Sequence, residues 1–290
     1  MSRRGWSLHE MMISLGVMAV ALGLAAHASV VHLRFFRGAG EIVAVRSQLS
    51  VVGTVVAAIV WGVAPAGGDI LVAADSALEV RSAVGSAVVC GTGPGQVTIP
   101  AAEPRGNTLS GFEAMPDVGD FIHAFVGDSI GSGWIRATVA SVAPGAGACP
   151  PAASVAGLTL TLAEPIELPA GAVLRISRSM RMSSYRASDG MWYFGVRDWN
   201  AATGRLNTIQ PVAGPLEPYS ADATRSGLLF RYFDATGLEL PVPVDVGRVA
   251  TIQVTARARS RRPVSVAGLG RQGVAYVDST TTTVSFRNAQ

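Results

Sequence analysis

From Met11 to Leu33 the chain carries no Asp, Glu, Lys or Arg, a run of 23 residues. As a helix that run spans about 35 Å, enough to cross a hydrocarbon core of about 30 Å. His27 and His32 are its only titratable side chains, and both can stay neutral. Such a segment is a membrane helix or an export signal, and it is too long and too uniformly apolar for a buried core helix. It divides the 290 residues into an apolar N-terminal part and a long remainder. Charged residues make up only 15% of the chain, against about 25% in an ordinary soluble domain. All 23 basic residues are Arg, and the formal net charge is only +3. That balance gives no global basic field of the kind a general nucleic-acid binder needs.

Past the apolar run the pattern stays helical. Ile42, Val45, Leu49, Val52, Val56, Ile59 and Val63 recur at alternating spacings of three and four, which draws one apolar stripe on a helix. Short strands are the competing reading, because Val and Ile favour sheets. Gly38 and Gly40 mark an expected weak point between the two halves. Pro65 and Gly67-Gly68 should stop the helix, giving a segment 6–64 with its membrane part at about 11–33.

The first ten residues, Met1-Ser-Arg-Arg-Gly5-Trp6-Ser-Leu-His-Glu10, leave three readings. Paired arginines and Ala26-His27-Ala28 fit an exported chain cleaved near Ala28, that is, a secreted β-rich binding domain. An uncleaved anchor carrying the same domain fits equally. The third reading rests on Gly5, Trp6, Ser7, Leu8 and Glu10 followed by the long apolar helix. This arrangement resembles the type IV prepilin-like family, with its N-terminal cleavage and methylation motif. The resemblance implies a leader of residues 1–5, cleavage between Gly5 and Trp6 by prepilin peptidase, and N-methylation of Trp6. It implies that Glu10 pairs with the amino terminus of a neighbouring subunit, where opposite charges offset each other's desolvation. Ser7-x-x-Glu10 is also a capping box, so a purely local role for Glu10 stays open. Arg3 and Arg4 precede the span and Arg34 and Arg37 follow it, so charge does not set orientation. The resemblance places the N-terminus in the cytoplasm and the rest in the periplasm, or outside the cell when in a pilus.

Residues 65–290 read as β-rich. Strands are expected over Ile70–Val80, Ser86–Val89, Leu158–Leu162, Val173–Arg178, Met182–Arg186, Met191–Val196, Gly227–Phe233, Leu238–Leu240, Ala250–Ala258 and Val274–Phe286. Gly91–Gly95 should be a loop, and Asp189-Gly190 a hairpin turn. The segment is one elaborated domain or a sheet with a β-rich insertion around 90–170. The expected class is therefore α+β: a long helix and then a β-rich globular domain, the pilin-like order. Size and the C-terminal strand resemble the W-class minor pilins and the J-class minor pseudopilins of type II secretion. That likeness implies other pilin or pseudopilin subunits, an inner-membrane assembly platform and, before assembly, membrane lipid as partners. Cys90 and Cys149 are the only cysteines, and in an exported chain they suggest one disulfide. It would close a loop of about 60 residues, worth about 4 kcal/mol on the chain-entropy model. Two buried thiols are the alternative.

Catalytic readings fail on missing partners. Gly127-Asp128-Ser129-Ile130-Gly131 looks like an esterase nucleophile block, but the last histidine, His123, lies upstream of Ser129. Gly268-Leu-Gly270-Arg-Gln-Gly273 fits a nucleotide-binding glycine pattern, yet a strand pattern follows where a helix is required. No catalytic residue, cofactor or metal ligand is assigned. Asp117, Asp120 and Asp128 are the one candidate calcium cluster, at no EF-hand spacing. Arg257, Arg259 and Arg261 alternate, with Arg262 beside them, and are expected to form a charged strand edge rather than a DNA-binding surface. Trp192, Tyr193, Trp199 and Tyr232 are expected in core or hairpin packing.

Overall fold

A computed structural model describes residues 7–101, 109–127, 132–145, 157–200, 203–264 and 274–286. The architecture is α+β, as expected: one long N-terminal helix and then a large antiparallel sheet. Helix α1 runs from Leu8 to Val60, 53 residues, or about 80 Å. Ser7 caps it: its Oγ accepts from the Glu10 N–H at 3.3 Å, while Glu10 Oε2 accepts from the Ser7 N–H at 3.0 Å. The helix passes unbroken through Gly38 and Gly40, the expected weak point. A glycine costs a helix only about 1 kcal/mol against alanine, too little to break one that is supported on both sides. Trp61 and Gly62 turn the chain, and a 3-10 turn at Pro65–Gly67 follows. The apolar stripe is the packed face: Val45, Leu49, Val52, Val56, Ile59 and Val63 are buried and Ile42 is half-buried.

Strands β1 (Ile70–Ala73) and β2 (Ala77–Val88) form a hairpin, as do β3 (Gly91–Gly93) and β4 (Gln96–Pro100). β5 (Ser110–Phe112) pairs with β2. β6 (Phe121–Gly127), β7 (Ser132–Gly145) and β8 (Gly157–Leu162) form a meander. β9 (Val173–Arg186) and β10 (Trp192–Asn200) flank the expected turn, where Gly190 has φ 79° and the Asp189 carboxylate accepts the Met191 N–H. Then come β11 (Arg205–Leu206), β12 (Gln210–Leu216), β13 (Leu228–Phe233) and β14 (Glu239–Leu240). β15 (Thr251–Val264) and β16 (Val274–Ser285) are the last two.

Two expectations about strand boundaries are corrected. Ile70–Val80 is not one strand, because Ala74-Asp75-Ser76 turns the chain and the Ala74 N–H reaches the Ala77 carbonyl at 2.9 Å. Val173–Arg178 and Met182–Arg186 are one strand, because the polar gap between them is satisfied across the sheet, with Ser179 Oγ donating to Glu79 at 3.0 Å. Gly91–Gly93, expected in a loop, pairs as a short strand.

The sheet divides along β9. β2 lies on one edge of it throughout, from Ala77 opposite Ser183 to Val88 opposite Val173. The other edge forks: β6 takes Leu174–Ser177 and β10 takes Met180–Arg186. One core therefore forms under α1, where its stripe meets Phe194, Leu216, Phe230, Tyr232, Ile252 and Val254. A second forms from Val97, Ile99, Ile122 and Leu160, which lie in the 90–170 region, together with Leu174 and Ile176 of β9. α1 ends against the middle of β2, where Ser82 Oγ donates to the Ile59 carbonyl at 3.1 Å. β2 continues past that point into the second core.

Candidate membrane and assembly site

α1 has two different halves. From Leu8 to Phe36 its large apolar side chains are exposed on every side, and none of its most apolar window is buried. A helix apolar all round and bare of protein contacts has the length and composition to cross a membrane. Arg34, Phe35, Phe36 and Arg37 close this half with two cations and an edge-to-face ring pair, centroids 5.8 Å apart. Burial of the helix begins at Gly38, and Glu41 makes a polar contact with the domain, its carboxylate accepting the Arg261 N–H at 3.1 Å. Farther along, Arg46 pairs with Asp278 at 3.3 Å, and the Gln48 side chain accepts the Gly214 N–H at 2.9 Å.

Glu10 sits at the bare end. Its carboxylate is held by the Ser7 N–H, the amide that follows residue 6. A shallow groove on that flank runs from Glu10 past Ile13 and Val17 to Ala21. The site thus combines one acidic group at a helix N-terminus with a long apolar flank. It can bind a cation or amine at the end and an apolar surface along the side. Gly5 and Trp6 lie outside the described residues.

Cys90 lies just past β2 and is disulfide-bonded; Cys149 lies outside the described residues. The proposed calcium cluster is otherwise engaged. Arg178 donates to both oxygens of the buried Asp120, at 2.7 and 2.8 Å, and Asp120 also accepts the Asp117 N–H at 2.8 Å. The neighbouring carboxylate holds the Arg178 guanidinium above its ordinary pKa. Asp128 lies outside the described residues, as do Ser129–Gly131 and the Gly268–Gly273 pattern. Among the described residues no three His, Cys, Asp or Glu converge as a metal site.

The charged-edge expectation for Arg257, Arg259 and Arg261 is corrected. β15 is interior, with β13 and β12 on one side and β16 on the other. Arg257 donates to the Thr224 carbonyl, Arg259 lies 3.8 Å from Glu217, and Arg261 reaches the Tyr193 hydroxyl at 3.4 Å. Tyr232 is buried with its hydroxyl on the Ala74 carbonyl at 2.8 Å, Trp192 packs on the first core, and Tyr193 donates to the hairpin residue Asp189 at 2.6 Å. Core and hairpin packing is what these three aromatics do.

Sequence reasoning missed one polar cluster where the helix hands over to the sheet. Asp69 is fully buried and accepts from the Ala64 N–H and from Arg175, both at 2.9 Å. His123 Nε2 stands 3.7 Å from its other oxygen, and Arg81 donates to the Gly68 carbonyl at 3.1 Å. Nothing local announces it: Asp69 follows two glycines and looks like a turn residue. Comparison of the chain with protein-family models, curated proteins and solved structures gives no match.

Proposed function

We propose that the chain is a structural, non-enzymatic subunit of a type IV filament, a minor pilin or minor pseudopilin that primes assembly or sits at the tip. In this reading prepilin peptidase removes residues 1–5, Trp6 becomes the methylated N-terminus, and the bare half of α1 moves from the membrane into a filament core. The carrying observation is the position of Glu10. Its carboxylate already holds the Ser7 N–H, one residue from the amine that cleavage would create. In a filament the same carboxylate is free to meet a neighbour's amine, at membrane depth, where an unpaired charge is costly. The unbroken passage of α1 through Ala26–Ser29 into the domain also supports a retained helix over a signal cleaved near Ala28.

Intact-mass measurement and N-terminal peptide mapping of membrane-extracted protein, with and without prepilin peptidase, test this. A chain starting at Trp6 and carrying one extra methyl group is expected. A start at Ser29 overturns it in favour of a secreted domain, and an uncleaved chain in both strains leaves a plain anchor. Glu10→Ala should then abolish incorporation into filaments while leaving cleavage intact, read by immunoblot of sheared filaments against membranes. Equal incorporation would confine Glu10 to helix capping.

A further inference from the structure

The sheet treats its edges unequally. Among the described residues, the strands that end it elsewhere are short: β14 has 2 residues, β3 and β5 have 3 each and β1 has 4. β16 has 12 residues, pairs only with β15 and leaves its second edge open. The register shows which groups that edge presents. The Phe286 N–H bonds the Ala250 carbonyl, so even-numbered residues of β16 face β15. Val277, Ser279, Thr281, Thr283 and Ser285 therefore turn their N–H and C=O groups outward. Asp278 covers the Ser279 N–H at 2.9 Å; no described residue covers those of Thr281 and Thr283.

Natural edges are blunted by charge, proline or brevity. β16 has none of these over Ser279–Ser285, a run of Ser, Thr and Val with high strand preference. Its single charge, Asp278, is taken up by Arg46 and the Tyr276 hydroxyl. Beside the edge lies a groove of about 630 Å³ between α1 and β16, bordered by Arg46, Ser50, Thr54 and Ala57 on the helix and by Thr280 and Thr282 on the strand. A strand added to β16 would drop every second side chain into it. The groove's lining suits small or hydroxylated residues there.

We propose that β16 is an acceptor edge, completed by an extended segment of a different polypeptide that adds as the next strand. Its main chain would bond Thr281 and Thr283, with small side chains facing α1. A second copy is the weaker occupant for a geometric reason. β16 runs in the same sense as α1, since Arg46 meets Asp278 and Gly53 lies against Thr282. Twofold antiparallel pairing of β16 with itself would point the two helices in opposite directions, which copies anchored in one membrane cannot do. The inference needs the membrane anchor but not the filament, so its failure leaves the filament reading standing.

The test uses the full-length chain in membranes of cells that make it, with the photo-crosslinking residue p-benzoylphenylalanine placed singly at Ser279 or Thr283. Mass spectrometry of the adducts should place the two cross-links on one extended stretch of another protein, about four residues apart, as strand pairing requires. Thr281→Pro removes one outward N–H and keeps the main-chain bonds to β15, losing there only the exposed hydroxyl contact with Thr255 at 3.0 Å. It should cut cross-link yield about tenfold and leave the melting midpoint in place. Should that variant melt early, Thr281→Lys supplies the same test by charging the edge. Adducts within the same chain or on a second copy, adducts without a common register, or no adducts would each overturn the proposal.

Discussion

At the residue scale the buried Asp69 cluster gives the sharpest expectations. Asp69→Ala leaves Arg175 without its buried partner and should cost about 3–5 kcal/mol, read as a fall in unfolding free energy in urea. His123 gives a pH dependence. Burial pushes its pKa below the ordinary value, and repulsion from Arg175, Arg81 and Arg136 works in the same direction, against the attraction of Asp69. Below about pH 6.5 the unfolded chain takes up a proton on this residue that the folded chain does not. Its contribution is therefore complete above about pH 6.5 and is lost as the pH falls toward the folded-state value. The melting temperature should drop between about pH 7 and pH 5.5, and His123→Gln should flatten that slope. An unchanged slope would assign the acid sensitivity to other groups. Neither residue was legible as a pair in the sequence: 54 positions separate them, and they meet only because β9 holds β2 on one edge and β6 on the other, with Arg175 between.

Elements were legible where periodicity was long. The stripe from Ile42 to Val63 identified the packed face of α1 because its spacing of three and four holds over six turns. Leu49→Ala, on that face, should destabilise the domain by about 2–5 kcal/mol, whereas Val20→Ala, on the bare half, should leave thermal unfolding of the domain unchanged. Equal effects would mean that the bare half carries domain stability. Strand boundaries were less legible. β4, β6, β7 and β12 carry weak alternation broken by Gly, Pro or polar residues, and their pairings are set by neighbours distant in sequence. β15 extends past Ala258 because Arg259 and Arg261 find Glu217 and Tyr193 across the surface. That compensation cannot be read from the Arg run itself. The capping box at Ser7 and Glu10, by contrast, depends on four consecutive residues and appeared as written.

For the whole molecule, the continuity of β2 and β9 through both cores matters most. Neither core can lose its strands without disturbing the other, so the domain should unfold in one transition, with near- and far-ultraviolet dichroism melting together. A chain beginning at Arg37 should stay monomeric without detergent and keep that single transition, since the described residues removed are all exposed. The alignment of α1 with β16 has a mechanical side as well. Tension on the N-terminal half of the helix is directed along the strands beneath it. The interdigitated rows from Glu41 to Val60 then carry that load in shear, all at once, instead of peeling one after another. A protein gripped by this helix can be hauled out of a bilayer without its domain being unzipped.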